Sequence, residues 1–175
     1  MLAAPCLAAV LALASPARAT TTRPVTVAEL TRASDDVIVG TVRRSSSRWE
    51  GGFIVTDHEV EVVGALKGRL PARATVLVRV AGGVVGRIAQ AIPGAPSLDD
   101  GRTYVLFLAG GISSARYLAH MTAAVVPVSA DAAGHAVAGV PSSLVMAPAS
   151  ASPAGHAPAP VELDAVTRAV RSVAP

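Results

Sequence analysis

Cysteine is nearly absent from this sequence. Its 175 residues contain one, Cys6, and none follows it. Beyond that point the chain has no disulfide frame and no thiolate metal site available, so packing must hold the fold together. Aromatic residues are also scarce: Trp49, Phe53, Phe107, Tyr104 and Tyr117 are the whole set. A core must therefore come from Val, Leu, Ile and Ala. Lysine is reduced to Lys67. Charge is thin, with 15 basic residues against 12 acidic ones scattered along the chain. That excess is too small and too dispersed to imply a nucleic-acid partner. A transmembrane run of about 20 apolar residues is missing as well.

The apolar run that does exist is short. Leu7 to Ala14 reads LAAVLALA, then Ser15 and Pro16, then Ala17-Arg18-Ala19. A short apolar stretch closed by a small-x-small site is the pattern of a cleaved export signal. Residues 1–19 are thus expected to be a signal peptide, with Ala17 and Ala19 at the cleavage site and a mature start near Thr20. No Lys or Arg precedes the run. A lipoprotein reading fits poorly, because Cys6 precedes most of the apolar run instead of following it. Loss of Arg18 leaves 14 basic residues against 12 acidic, a net charge of +2. The expected location is secreted or periplasmic. Roughly 155 mature residues suit one domain with a real core.

Thr26-Val27-Ala28-Glu29 reads as a capping box that starts a helix from Val27 to about Ala33, with Leu30 as its buried contact. Val37 to Val42 has strand character. Arg43 to Gly52 (RRSSSRWEGG) reads as a loop or the wide end of a hairpin. Phe53 to Val63 is expected to be a second strand, with His58, Val60 and Val62 on one face and Asp57, Glu59 and Glu61 on the other. Leu66-Lys67-Gly68 closes it. Thr75 to Val80 is a third strand. Val60, Val62, Val76 and Val78 should point inward, and Phe107 should pack with them or on a second apolar surface. Ala81 to Asp100 reads as a long irregular connection. Thr103 to Leu108 (TYVLFL) is the most strand-like run. Tyr117 to Met121 reads as a strand, and Asp131-Ala132-Ala133-Gly134 as the turn of a hairpin between Val125–Val128 and His135–Val140. Pro141 to Pro160 reads as a Pro/Ala/Ser-rich linker. Val161 to Val173 has helical spacing and a charge order that matches the helix dipole.

Chemistry-bearing residues are sparse. The histidines, His58, His120, His135 and His156, show no metal-ligand spacing. Gly82-Gly83-Val84-Val85-Gly86 lacks the Lys-Ser/Thr and the helix that a phosphate loop needs, so tight turns beside a sheet are the better account. Asp35-Asp36 and Asp99-Asp100 sit beside turn signals and suit turn and cap roles. Serine is plentiful, but no G-x-S-x-G and no triad spacing occurs. Arg43, Arg44 and Arg48 make a local basic patch, read as a solvated loop with an anionic surface partner as the alternative. No cofactor and no metal is expected. The best candidate surface is the Ala81–Asp100 connection, because long ordered loops in compact domains are usually functional. Its apolar residues Val84, Val85, Ile88 and Ile92 either bind a partner or cap one end of a barrel, and Arg87 and Gln90 could add polar contacts.

The stretch from Ala33 to Leu108 resembles a group of uncharacterised exported bacterial proteins. In that group ASD at a strand entry is followed by LKG, a GG..G loop, G.P and G..Y..FL. Here these words fall at Ala33–Asp35, Leu66–Gly68, Gly82–Gly86, Gly94–Pro96 and Gly101–Leu108. The layout from LKG to YVLFL also resembles the OB-like barrel of netrin-type domains, including the tissue inhibitors of metalloproteinases. Those inhibitors use a mature N-terminal Cys and a disulfide frame, which this chain lacks, so no inhibitory residue carries over.

The reading is therefore mainly β: a small OB-like antiparallel barrel of five or six strands, with a short N-terminal helix and a C-terminal helix. The expected organisation is a signal peptide (1–19), a barrel domain (20–140), a linker (141–160) and a helix (161–175). The expected function is a non-enzymatic binding or structural module acting on a protein or envelope component. A protease-associated inhibitor or accessory protein is the alternative, and an enzyme with a scattered site the third.

Overall fold

The computed structural model describes residues 24–110, 115–146 and 159–174. The expected signal peptide, with Ala17 and Ala19, and most of the expected linker lie outside them. A short strand β1 (Val25–Thr26) leads into helix α1 (Val27–Ala33). The capping box is present: Glu29 N donates to Thr26 Oγ1 at 3.1 Å, and Thr26 N donates to Glu29 Oε2 at 2.9 Å. At the other end Lys67 Nζ donates to Thr31 O at 2.8 Å and Ser34 O at 2.7 Å. The single lysine thus caps the carbonyl end of α1, where a cation is favoured.

Two long strands follow, β2 (Asp36–Glu50) and β3 (Phe53–Lys67), joined by Gly51-Gly52. Both glycines have positive φ, 58° and 87°, as a two-residue type I′ hairpin turn requires. Arg43–Gly52, read as a loop or the wide end of a hairpin, is the end of a hairpin, with Arg43–Glu50 in strand. Its polar residues find partners on the neighbouring strand: Arg43, in a register shift, meets Glu61 at 2.9 Å, Arg44 pairs with Glu59 opposite it, and Ser47 Oγ bonds Thr56 Oγ1 at 2.9 Å. Cross-strand pairing of opposite charges stabilises a strand without an apolar face. Arg43, Arg44 and Arg48 each have a carboxylate partner there. Asp57, assigned to the water face, is on the outer side but buried, because Arg48 and Arg79 cover it.

The remaining strands are β4 (Thr75–Ala81), β5 (Gly83–Val85), β6 (Ile88–Gln90), β7 (Thr103–Ala109) and β8 (Ala115–Leu118). After a 3-10 turn at Thr122–Ala124 come β9 (Val125–Ala130), β10 (Ala136–Ala138), β11 (Leu144–Val145), β12 (Val161–Glu162) and helix α2 (Leu163–Arg171). Eight of the strands form one sheet in the order β12-β10-β9-β7-β2-β3-β4-β8. This exceeds the five or six expected. Its pairings are antiparallel except β4–β8, which is parallel, and β8 also pairs antiparallel with β7. The fold is mainly β with a large, mostly antiparallel sheet.

The sheet has an apolar cluster on each side. Ile38, Val42, Val60, Val62, Val78 and Leu106 belong to one. Val27 and Leu30 of α1, Val166 and Val170 of α2, and Val105 and Phe107 of β7 belong to the other. Strand β7 therefore buries both faces, which is why TYVLFL reads as an unbroken apolar run. Phe107 falls in the second cluster, apart from the inward valines. Helix α2 docks there, and burying a valine from it contributes about 1.5–3 kcal/mol.

Three further expectations are corrected. Ala81–Asp100 is not wholly irregular, since β5 and β6 form a hairpin with a two-residue turn at Gly86-Arg87. The strand expected at Tyr117–Met121 lies at Ala115–Leu118, and the chain then turns. The first residues of the expected linker are packed: β11 pairs in parallel with β1, and Leu144 is buried.

Candidate functional site

The inner face of the β2–β3 ribbon changes character along its length. Val42, Val60 and Val62 are fully buried and apolar. Two residues towards the hairpin tip the pair is Ser45 and His58, and the next is Ser47 and Thr56. This polar floor lies at the end of the apolar cluster. Over it folds the segment that begins at Gly82-Gly83. A Cβ at Gly83 would stand 2.2 Å from Thr56 Oγ1 and 2.6 Å from Ser47 Oγ, and its φ is +135°, so only glycine lets the backbone pass so close. Thr56 Oγ1 donates to Gly82 O at 2.7 Å, and Gln90 accepts from Ile54 N through its side-chain oxygen. Leu98 and Ala95 close the apolar end.

Between floor and hairpin lies a cleft of about 420 Å³. Its polar side chains are Ser45, Ser47, Thr56, His58, Gln90 and Ser97. Val80, Val84, Ile92 and Leu98 give it apolar walls. His58 is 5% exposed. Its Nδ1 is 2.7 Å from Ser45 Oγ, and Ser45 Oγ donates to Asp100 Oδ1. Burial pushes the His58 pKa below its ordinary value; Asp100 and then Asp57 pull against that, and burial wins.

The outer face carries an ion-pair lattice. Arg79 Nε meets Asp57 Oδ1 at 2.6 Å and Arg79 Nη1 meets Glu50 Oε1 at 2.8 Å, while Arg48 contacts both Asp57 and Glu50. Burial raises the Asp57 pKa, but hydrogen bonding and charge from Arg79, with Arg48, outweigh it and hold the carboxyl below its ordinary range. The Asp57 hydrogen bond raises Arg79 further above its ordinary value. This lattice is self-satisfied and binds the ribbon to β4.

The residues picked out from the sequence separate into two groups. Val84 is 60% exposed and Ile88 54% exposed, Arg87 is exposed, and Val85 is half-buried. Ile92 is half-buried and lines the cleft. Leu98, 5% exposed, packs into the apolar cluster of Val60 and Val78, which Val84 and Ile88 do not join. Trp49 (49% exposed) and Phe53 (62%) stand beside the Gly51-Gly52 turn, a pair of exposed aromatics not singled out from the sequence. Their signal was available, since they flank the double glycine. Ser45 and Asp100 were missed as partners of His58. They are 55 residues apart and no short spacing joins them.

Most of the other carboxylates make local pairings. Asp35 accepts from Gly110 N, and Asp36 lies 3.3 Å from Arg116. Asp99 faces Arg102 at 3.4 Å. His135 is exposed and 3.4 Å from Asp131, His120 has a closed-off Nδ1 without a partner, and His156 lies outside the described residues. Among the described residues no cluster of His, Cys, Asp and Glu could hold a metal, and no helix is long and apolar enough to cross a membrane. The chain matches no protein-family model and no curated protein.

Proposed function

We propose that this chain is an exported, non-enzymatic binding module built on a closed OB-like barrel, and that it meets a protein or envelope partner through its two hairpin tips. The ring of pairings β2–β3–β4–β8–β7–β2 supports the barrel reading, as does the parallel β4–β8 step. The observation that carries the binding reading is the set of exposed apolar side chains on two adjacent hairpins: Trp49 and Phe53 on one, Val84 and Ile88 on the other. Strand β5 packs on β2 and β3, so the hairpins are neighbours. Exposed apolar groups on neighbouring hairpins favour an interaction surface. Ladder pairing sets Trp49 and Phe53 on opposite faces of one hairpin and Val84 and Ile88 on opposite faces of the other. The cleft chemistry also speaks for binding. Ser45 sits between His58 and Asp100 and gives its proton to the carboxylate, whereas a nucleophilic serine needs the histidine in the middle.

The test is a Val84→Ser/Ile88→Ser variant compared with wild type in capture from envelope and medium fractions. Both changed side chains are exposed, so an unchanged melting temperature is expected. Loss of a partner captured by wild type supports the reading. Retention of every partner removes the β5–β6 tip from the interface.

A further inference from the structure

We infer that the cleft floor is a hydrogen-bond-acceptor site that takes an organic cation, an ammonium or guanidinium group on an apolar stem. The argument is proton accounting, and it concerns the floor, independently of the hairpin tips. A hydroxyl has one proton. Ser45 gives its proton to Asp100. Thr56 gives its proton to Gly82 O. Ser47, 2.9 Å from Thr56 Oγ1, must then donate to that oxygen. Ser97 faces Asp99 Oδ1, itself only an acceptor, at 3.5 Å. The hydroxyl protons of Ser45, Ser47 and Thr56 on the floor are thus committed within the protein, and lone pairs remain.

The same accounting sets the histidine. With the Ser45 proton on Asp100, the 2.7 Å contact between Ser45 Oγ and His58 Nδ1 requires Nδ1 to be the donor. The neutral ring then carries a bare lone pair on Nε2. Among the described residues that nitrogen has no hydrogen-bond partner, and it is not among the polar atoms sealed from solvent. A side chain only 5% exposed therefore presents an unpartnered acceptor to the cleft it lines. No lysine or arginine is among the described lining residues. Asp100, coupled through Ser45, adds negative potential. Among the described floor residues the strong side-chain donor left is the Gln90 amide, whose oxygen is taken by Ile54 N. Walls of Val80, Ile92 and Leu98 suit an alkyl stem. A carboxylate or phosphate would find the Gln90 amide as a donor but meet lone pairs at Ser45, Ser47, Thr56 and His58 on the floor.

The test is nitrogen NMR of the imidazole-labelled protein at pH 7.5, titrated with n-butylammonium, n-butylguanidinium and n-butyrate. The expected result is an unprotonated Nε2 and a protonated Nδ1 on His58 before ligand. Saturable shifts of Nε2 are expected with the two cations and not with butyrate. His58→Gln should weaken the cation at least tenfold. A tenfold tighter fit for a blocked lysine or arginine peptide than for the free amine assigns the cation to a protein side chain; the reverse order assigns it to a small amine. A protonated Nε2 at the start overturns the inference. So does butyrate binding as tightly as the amine, or no saturable shift with either cation. Ile88 does not line the cleft, so loss of partner capture by Ile88→Ser alone leaves these outcomes untouched.

Discussion

Val78 and His58 are neighbours across the β3–β4 ladder, yet the same burial acts on them in opposite ways. Val78 is fully buried and loses nothing by it. Val78→Asp would place a carboxylate among valines with no cation on that side, at a cost of about 3–5 kcal/mol. Thermal unfolding should show a large drop or no folded protein, and an unchanged midpoint would reject the inward assignment. His58 is buried as a base. Its folded pKa lies below its ordinary 6.5, so the unfolded chain binds a proton more readily just under that pH. Stability from the neutral ring is full above about pH 6.5 and falls as pH drops towards the folded pKa, below which the loss levels off. The melting temperature of wild type should therefore fall more steeply between pH 7.5 and 5 than that of His58→Gln. Parallel profiles would show that the ring is solvated.

At the scale of elements, the β2–β3 ribbon and the β5–β6 hairpin are set by glycine pairs of different kinds. Gly51-Gly52 supplies two positive φ values for a tight turn in open space. Gly82-Gly83 supplies both positive φ and a missing Cβ against the Ser47–Thr56 layer. Gly83→Val should therefore push β5 off that layer and cost about 2–4 kcal/mol, while Gly51→Asn should cost under about 1 kcal/mol, since Asn tolerates positive φ. Chemical denaturation of the two variants checks this, and equal losses would refute the close-approach argument. Helix α1 was legible to its end residues, because a capping box is local and Thr26 and Glu29 lie three residues apart. The ribbon's outer half was not. Its polar sequence looks like a loop until Arg43, Arg44 and Arg48 meet Glu61, Glu59 and Asp57 across the ladder.

At the scale of the molecule, the N- and C-terminal parts of the described chain meet. Strand β1 pairs with β11, and both helices share one apolar cluster with Phe107. Hydrogen exchange should therefore protect Leu144 and Val145 far more than a free linker. Exchange of those two amides at the unprotected rate would show that β11 is not formed. Export predicts a secreted chain that starts at or near Thr20, read by intact mass. A full-length cytoplasmic product in the native host would refute it.

By itself the sequence determined what is local or periodic. The lack of cysteine past Cys6 excluded a disulfide frame, period-two alternation marked β3 and β4, and charge order with apolar spacing marked α2. Those signals act within a few residues, so the chain carries them before it folds. Tertiary structure alone decided what depends on distant partners. It brought Asp100 to Ser45 and so oriented His58. It turned a basic patch into a paired ladder, and it split the apolar residues between two faces of one sheet. The physical reason is that hydrogen bonds and ion pairs read distance in space, and strand pairing fixes that distance independently of separation along the chain.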